Sequence, residues 1–252
     1  MIAAERDFEA SGRTTQAVML MAGSGSRLRS GSDDFLKPLT PVAGRPLICY
    51  TLEALARSGI ETVHAVVGFE HERVAAEVKR LAPAALTLHF IENIDWHKQN
   101  GISLLAAAAH VQEPFLLTMG DHIFDQEIVE LLLDVGDVDV LNAAIDPKIS
   151  TIFDLDDAMK VETRGERIVR IGKQLRQYDA IDIGLFLCPP EIFGYGRRAL
   201  RNGDCSLADT VQAMAGEGKV RGIDIGNCWW QDVDTHAMLM EAERKLRSLV
   251  RT

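Results

Sequence analysis

Short apolar runs alternate with amphipathic stretches through the first half of the chain. Ala17-Val18-Met19-Leu20-Met21 is apolar at every position and gives way to glycine, the pattern of a strand buried on both faces. Pro46 opens a helical periodicity carried by Leu47, Tyr50, Leu52 and Leu55 and closed by Gly59. Thr62 to Val67 predicts a second strand, Glu70 to Leu81 a charged helix and Leu86 to Ile91 a third strand. Gly101 to Val111, rich in Ala and Leu, predicts a mostly buried helix. Phe115 to Met119 is a fourth apolar strand, Ile123 to Leu133 a further helix and Val138 to Ile145 a fifth strand. This alternation predicts an α/β fold, a parallel sheet with helices on both faces. Such sheets bind ligands beyond the carboxyl ends of their strands, which singles out two exits, Ala22 onward and Gly120-Asp121.

The second half is less regular. Ala158 to Thr163 and Arg167 to Ile171 flank Arg164-Gly165-Glu166, a hairpin turn. Asp179 to Cys188 is another strand, stopped by Pro189-Pro190. Two short helices, a strand over Val220 to Ile225 and a terminal helix over Thr235 to Val250 complete the pattern. No internal repeat and no long linker divides the chain, so residues 16–252 are expected to form one domain. Residues 1–15 carry Glu5, Arg6, Asp7, Glu9 and Arg13 without an apolar core; they read as a flexible tail rather than a secretory signal.

Composition narrows the function. The chain has 252 residues, 47% hydrophobic and 25% charged, within the range of folded globular domains. Its net charge of −10 repels phosphate backbones at long range, which argues against nucleic acid as a partner. A small phosphorylated ligand is still compatible, because a basic pocket can sit inside an acidic surface. Cys49, Cys188, Cys205 and Cys228 form no zinc-knuckle pair and are too few for a disulfide scaffold, so free thiols in a reducing cytoplasm are expected. No apolar run approaches the ~20 residues that cross a bilayer, and no membrane insertion is predicted.

Three segments can carry chemistry. In Leu20-Met21-Ala22-Gly23-Ser24-Gly25-Ser26-Arg27-Leu28, two glycines let backbone N–H groups approach an anion, and Arg27 and the later Lys37 add positive charge. Neither a dinucleotide fingerprint nor a P-loop is present: Leu28 stands where the first needs glycine, and the second needs Gly-Lys-Ser/Thr. On local grounds this stretch is equally a plain turn. Asp121, in Thr118-Met119-Gly120-Asp121-His122, presents a carboxylate suited to Mg²⁺, or else caps a helix starting near Ile123. In Trp229-Trp230-Gln231-Asp232-Val233-Asp234-Thr235, one of the two aspartates is expected to reach the site, and Asp234 is chosen, with an N-cap of the last helix as its alternative role. His122 reads as a structural hydrogen-bonding residue, and Trp229 and Trp230 as half-buried core.

Taken together, Ala22 to Leu28, Lys37-Pro38-Leu39 and Val42-Ala43-Gly44-Arg45-Pro46-Leu47-Ile48 resemble the signature of the nucleoside triphosphate transferases that activate sugar and alcohol phosphates. Asn100-Gly101-Ile102-Ser103-Leu104, Phe115 to His122, Ile171-Gly172-Lys173-Gln174-Leu175, Asp182-Ile183-Gly184-Leu185-Phe186 and Trp230 to Thr235 are similar to the cytidylyltransferases for myo-inositol-1-phosphate. The resemblance runs from about Gln16 to the last helix. It implies a Rossmann-like, mixed but mostly parallel sheet of the nucleotide-diphospho-sugar transferase type, with a nucleotide half near 16–145 and an acceptor half near 146–252. It departs from the wider superfamily at Leu36, where proline often precedes the lysine, and in the acidic loop Ser30 to Phe35.

The resemblance also implies roles. Leu20, Ala22, Gly23, Gly25 and Arg27 would bind the nucleotide, with Gly23, Gly25 and Arg27 around the triphosphate. Lys37 would neutralise charge near the breaking bond. Asn100, Gly101 and Ser103 would lie by base and ribose, and Asp121 and Asp234 would hold Mg²⁺. Lys173 would meet the acceptor phosphate and Asp182 the acceptor hydroxyls. Arg27, Lys37 and Lys173 are then the catalytic cations. The implied reaction is attack of an acceptor phosphate oxygen on the α-phosphorus of CTP with loss of pyrophosphate. The nucleophile is already anionic, so alignment and charge neutralisation suffice without a general base. Phosphocholine, an aminoalkyl phosphonate or a sugar-1-phosphate are the alternative acceptors, and a non-catalytic nucleotide-binding regulator is the alternative class. The resembled proteins are often joined to a membrane-bound phosphatidyl-alcohol synthase, which is expected here on a separate chain.

Overall fold

The computed structural model describes residues 13–29 and 35–249. Most of the expected N-terminal tail and most of the acidic loop therefore lie outside the described residues. The first half contains β1 (Gln16–Leu20), β2 (Pro41–Val42), β3 (Arg45–Pro46), α1 (Leu47–Arg57), β4 (Thr62–Val67), α2 (His71–Leu81) and β5 (Thr87–Glu92). It continues with α3 (Asn100–Ala106), β6 (Phe115–Met119), β7 (His122–Phe124), α4 (Gln126–Val135) and β8 (Leu141–Asp146). The second half holds β9 (Met159–Arg164), β10 (Arg167–Gly172), β11 (Ala180–Cys188), α5 (Ile192–Ala199) and α6 (Leu207–Gly216). It closes with β12 (Val220–Asp224), β13 (Trp230–Asp232) and α7 (His236–Leu249).

Nine strands form one sheet in the order β5-β4-β1-β6-β11-β8-β12-β10-β9. From β5 to β6 neighbours are parallel, as the alternation predicts. β11 then runs antiparallel to both β6 and β8, and β12 returns parallel to β8. The sheet is thus mixed: β11 of the second half is inserted between β6 and β8, and β12, β10 and β9 extend the sheet beyond β8.

Central position explains the apolar runs. β1 lies between β4 and β6, and Ala17, Val18 and Met19 are fully buried because both faces are covered. On one face Met19, Ala65 and Leu116 pack with Leu52 and Leu55 of α1, Val74 of α2 and Ile128 of α4. On the other, Val18, Leu117 and Phe186 pack with Leu104 of α3, Phe193 of α5 and Val211 of α6. Phe115 and Phe193 stack there with ring centroids 5.4 Å apart.

Three sequence expectations are corrected. The helix expected from Ile123 to Leu133 begins as strand β7, because Ile123 and Phe124 pair antiparallel with Gln231 and Trp230 of β13. A partner that distant leaves no trace in the local pattern. The strand expected from Val138 starts only at Leu141, because the buried Asn142 donates its amide hydrogens to the carbonyls of Asp137 and Val140 and folds residues 137–140 into a turn. The helix expected to reach Val111 ends at Ala106 and tightens into a 3₁₀ turn over Ala107–Ala109.

Candidate active site

β1 and β6 are parallel neighbours, with Leu20 opposite Met119, so the segments leaving them share the carboxyl end of the sheet. Gly120 N–H donates to the Leu20 carbonyl at 2.9 Å, tying the two exits together. The loop after β1 turns at Gly25, whose carbonyl accepts from the N–H groups of Leu28 and Arg29. Gly25 has φ +63°, and a Cβ there would lie 2.7 Å from the Lys37 Cβ. Glycine is therefore needed twice, for the left-handed backbone and for the approach of the lysine.

Lys37 lies on a single 3₁₀ turn, Lys37–Leu39, and points between two carboxylates. Its Nζ donates to Asp121 Oδ2 at 2.5 Å and, more closely still, to Asp234 Oδ1. Burial disfavours the ammonium, but the two aspartates outweigh it and the Lys37 pKa is raised. Asp121 is held below the usual carboxylate range: burial pushes it up, but Lys37 and His122 pull harder. His122 Nδ1 lies 2.6 Å from Asp121 Oδ1, and its ring stacks on Trp230 at an interplanar angle of 14°. Burial lowers the His122 pKa, and the bond to Asp121 more than reverses this.

Neither aspartate is a helix cap. α4 starts after Asp125, whose carboxylate accepts from the Trp229 N–H instead, and α7 is capped by the Thr235 hydroxyl, which accepts from the Met238 N–H at 3.2 Å. Both Asp232 and Asp234 reach the larger cavity, correcting the expectation that one would. They are two residues apart in an extended segment and so share a side. Burial raises the Asp232 pKa, His122 partly offsets this, and Asp121 and Asp234 add to it.

Two cavities meet at this cluster. The smaller, about 500 Å³, takes Leu20, Ala22, Gly23, Gly25, Arg27, Lys37, Asn100, Ser103, Asp121, Asp234 and Lys173 into its walls. The larger, about 790 Å³, includes Asp182, Asp146, Trp229 and Trp230. Asn100, Met119, His122, Lys173 and Asp234 line both. Gly101 lines neither; it packs under the second half, where a Cβ would meet the Cys205 carbonyl at 2.5 Å. Ser103 is buried and its hydroxyl accepts from the Asn93 amide at 3.0 Å, while Asn100 Oδ1 accepts the Leu207 N–H at the start of α6.

Asp182 accepts the Gly184 N–H at 3.0 Å. Burial pushes its carboxyl up to about 7, against the opposing pull of that hydrogen bond and of His122. Gly184, at φ +74°, packs its missing Cβ position against His122 Nε2 at 2.8 Å. Sequence reasoning missed Trp96, His97 and Lys98 on the smaller cavity and Asp146, Lys148 and Asp157 on the larger. Trp96 packs on Gly68, where a Cβ would lie 2.2 Å from the Trp96 Cβ, a proximity that only the folded chain shows. Asp157, in an irregular acidic stretch, carried no signal either.

A glycine-bearing loop leaving a central strand, facing a lysine gripped by two carboxylates at the mouth of a mixed α/β sheet, defines a nucleotidyltransferase architecture. The T. maritima inositol-1-phosphate CTP transferase structure superimposes with a TM-score of 0.83 and 25% identity, over 94% of this chain and 97% of that one. The chain belongs to the MobA-like NTP transferase domain family, whose family model matches residues 17–148. Among curated relatives, the bifunctional IPC transferase and DIPP synthase of Rubrobacter xylanophilus is 37% identical over 87% of this chain and 49% of its own length. The protein of the same name from Thermococcus kodakarensis is 31% identical over 94% of this chain and 51% of its own length. The chain thus spans about half the length of these relatives.

Proposed function

We propose that the protein is a cytidylyltransferase that moves CMP from CTP to inositol-1-phosphate, or a similar small phospho-alcohol, and releases pyrophosphate. The observation that carries this reading is the wall shared by the two cavities. A nucleotide in the smaller and a phosphorylated alcohol in the larger would meet at His122, Lys173 and Asp234. The names of the relatives support the same pair of substrates.

In this reading the glycine-rich loop brings backbone N–H groups and Arg27 to the triphosphate. Lys37 stabilises charge that develops at the α-phosphate, and its two carboxylates keep it protonated and aimed. Lys173 orients the acceptor phosphate, and Asp182 accepts from acceptor hydroxyls. Alignment of two bound reactants replaces the encounter of free ones, and with charge neutralisation it is what a nucleophile that is already an anion requires.

Two carboxylates with phosphate oxygens are a donor set that suits Mg²⁺, but Asp121 and Asp234 would hold the ion only by giving up partners they have here, since Asp121 pairs with Lys37 and His122 and Asp234 with Lys37 and Arg27. Among the described residues no group of three or more His, Cys, Asp or Glu gathers as a metal cage, so substrate oxygens would have to complete the shell. When bound, the ion would neutralise phosphate charge and polarise the α-phosphate. The product would pass to a membrane-bound synthase. Among the described residues no helix is long and apolar enough to cross a membrane.

The test is turnover with each of the four nucleoside triphosphates against inositol-1-phosphate, phosphocholine, an aminoalkyl phosphonate and sugar-1-phosphates. CDP-inositol and pyrophosphate are expected to form fastest. Faster turnover of another acceptor would overturn the acceptor assignment, and absence of any pyrophosphate release would overturn the transferase reading.

A further inference from the structure

Asp157 joins the two cations that the proposed reaction assigns to different substrates. Its Oδ2 accepts from Arg27 Nη1 at 2.7 Å, and its Oδ1 accepts from Lys173 Nζ at 2.5 Å. The same guanidinium donates through Nη2 to Asp234 at 2.5 Å. Alternating charges therefore run unbroken from Lys173 through Asp157, Arg27, Asp234 and Lys37 to Asp121.

Asp157 is held in place from behind. Lys160, on β9, is buried at 8% exposure and reaches no carboxylate within the described contacts. Its Nζ donates instead to three carbonyls, those of Asp156 and Ala158 at 3.4 Å and that of Lys173 at 3.0 Å. One buried ammonium thus ties the residues on either side of Asp157 to the backbone of Lys173. Beside these carbonyls the ammonium has the Tyr178 ring 5.8 Å away; a buried charge without a carboxylate partner is costly, and here it staples Asp157 to the lysine it pairs with.

We propose that Asp157 is a positioning residue for the transfer: pinned by Lys160, its carboxylate sets the separation of Arg27 and Lys173 and so aligns the donor and acceptor phosphates. The inference rests on the roles of Arg27 and Lys173 given above. Two cations left to themselves would repel and spread apart. Arg27 has five N–H donors and Lys173 three, so each can keep its bond to Asp157 and still hold a phosphate. Burial pushes the Asp157 carboxyl up, but the bonds from Lys173 and Arg27 hold it below the usual range, so it stays anionic at neutral pH.

Asp157→Asn keeps the size of the side chain but loses the charge and one of the two accepting oxygens. With both substrates saturating, kcat is expected to fall by about a hundredfold, the order that a ~1 Å misalignment costs a transfer, with the melting temperature unchanged and activity partly restored in Asp157→Glu. Lys160→Met should lower kcat in the same way and add little to Asp157→Asn in the double variant. An unchanged kcat would overturn the proposal; so would a lower acceptor KM at unchanged kcat, which would make Asp157 a competitor of the substrate phosphate. A crystal structure of Asp157→Asn gives a reading independent of turnover: Arg27 and Lys173 should have moved apart, and unchanged positions would overturn the proposal. Wild-type protein inactive on every substrate pair would sink the functional reading, while the crystal structure would still decide whether Asp157 sets the separation of Arg27 and Lys173.

Discussion

Gly25 and Lys37 are in contact across the loop that separates them: the Lys37 side chain passes where a side chain on residue 25 would have to stand. The glycine-rich loop therefore has a second task beside approach to phosphate, which is to leave room for the lysine. Gly25→Ala combines a strained φ of +63° with a contact of 2.7 Å, so it should push Lys37 off Asp121 and Asp234. Turnover is expected to fall at least tenfold while the melting temperature falls by only a few degrees, since the loop is at the surface. Circular dichroism melts beside a pyrophosphate-release assay check this, and full activity in the variant would separate the loop from the lysine.

Asp121→Asn should abolish turnover with the fold intact. It removes a charge that pairs with both Lys37 and His122, and with it a proposed contribution of several kcal/mol to transition-state stabilisation. Asp234→Asn should behave alike. Measured kcat near the wild-type value in either variant would count against the two carboxylates as a unit.

Lys37→Ala and Lys173→Ala should fail differently. Lys37 is 11% exposed and locked between carboxylates, as suits charge that develops at one atom, so its loss should lower kcat. Lys173 is 43% exposed at the junction of the cavities and grips the acceptor, so its loss should raise the acceptor KM as well as lower kcat, and leave CTP binding alone. Initial rates with both substrates varied distinguish the two, and one common defect would contradict the division of labour.

Asp182 predicts a pH effect on stability. Its folded pKa of about 7 lies above the ordinary value of 3.8, so folding favours the protonated carboxyl. The stabilisation this provides is complete below the unfolded pKa and is lost as pH rises through the folded one. Asp182→Asn keeps an oxygen for the Gly184 N–H and does not ionise. Its stability relative to wild type should therefore grow as pH rises from about 4 to about 7 and level off above. Urea melts across that range test this; a constant difference would mean that Asp182 is ionised throughout.

The chain order of residues was enough to place β1, β4 and β6 and the two strand exits at the candidate site. β4 and β6 follow the apolar runs end to end, and Asp121 and the glycine-bearing loop that carries Arg27 follow the ends of strands. Periodicity and glycine placement report local geometry, and these elements are stabilised by burial that the local pattern already encodes. The tertiary structure decided what no local pattern holds. Lys37 meets Asp234 across 197 positions and Arg27 meets Asp157 across 130, and β7 is a strand because β13 lies beside it. Asp182 on β11 and Asp121 in the turn between β6 and β7 both lie near His122, yet one is pushed up and the other held down. A carboxylate's pKa and its partners depend on which charges and how little water surround it, and only the folded chain supplies those neighbours.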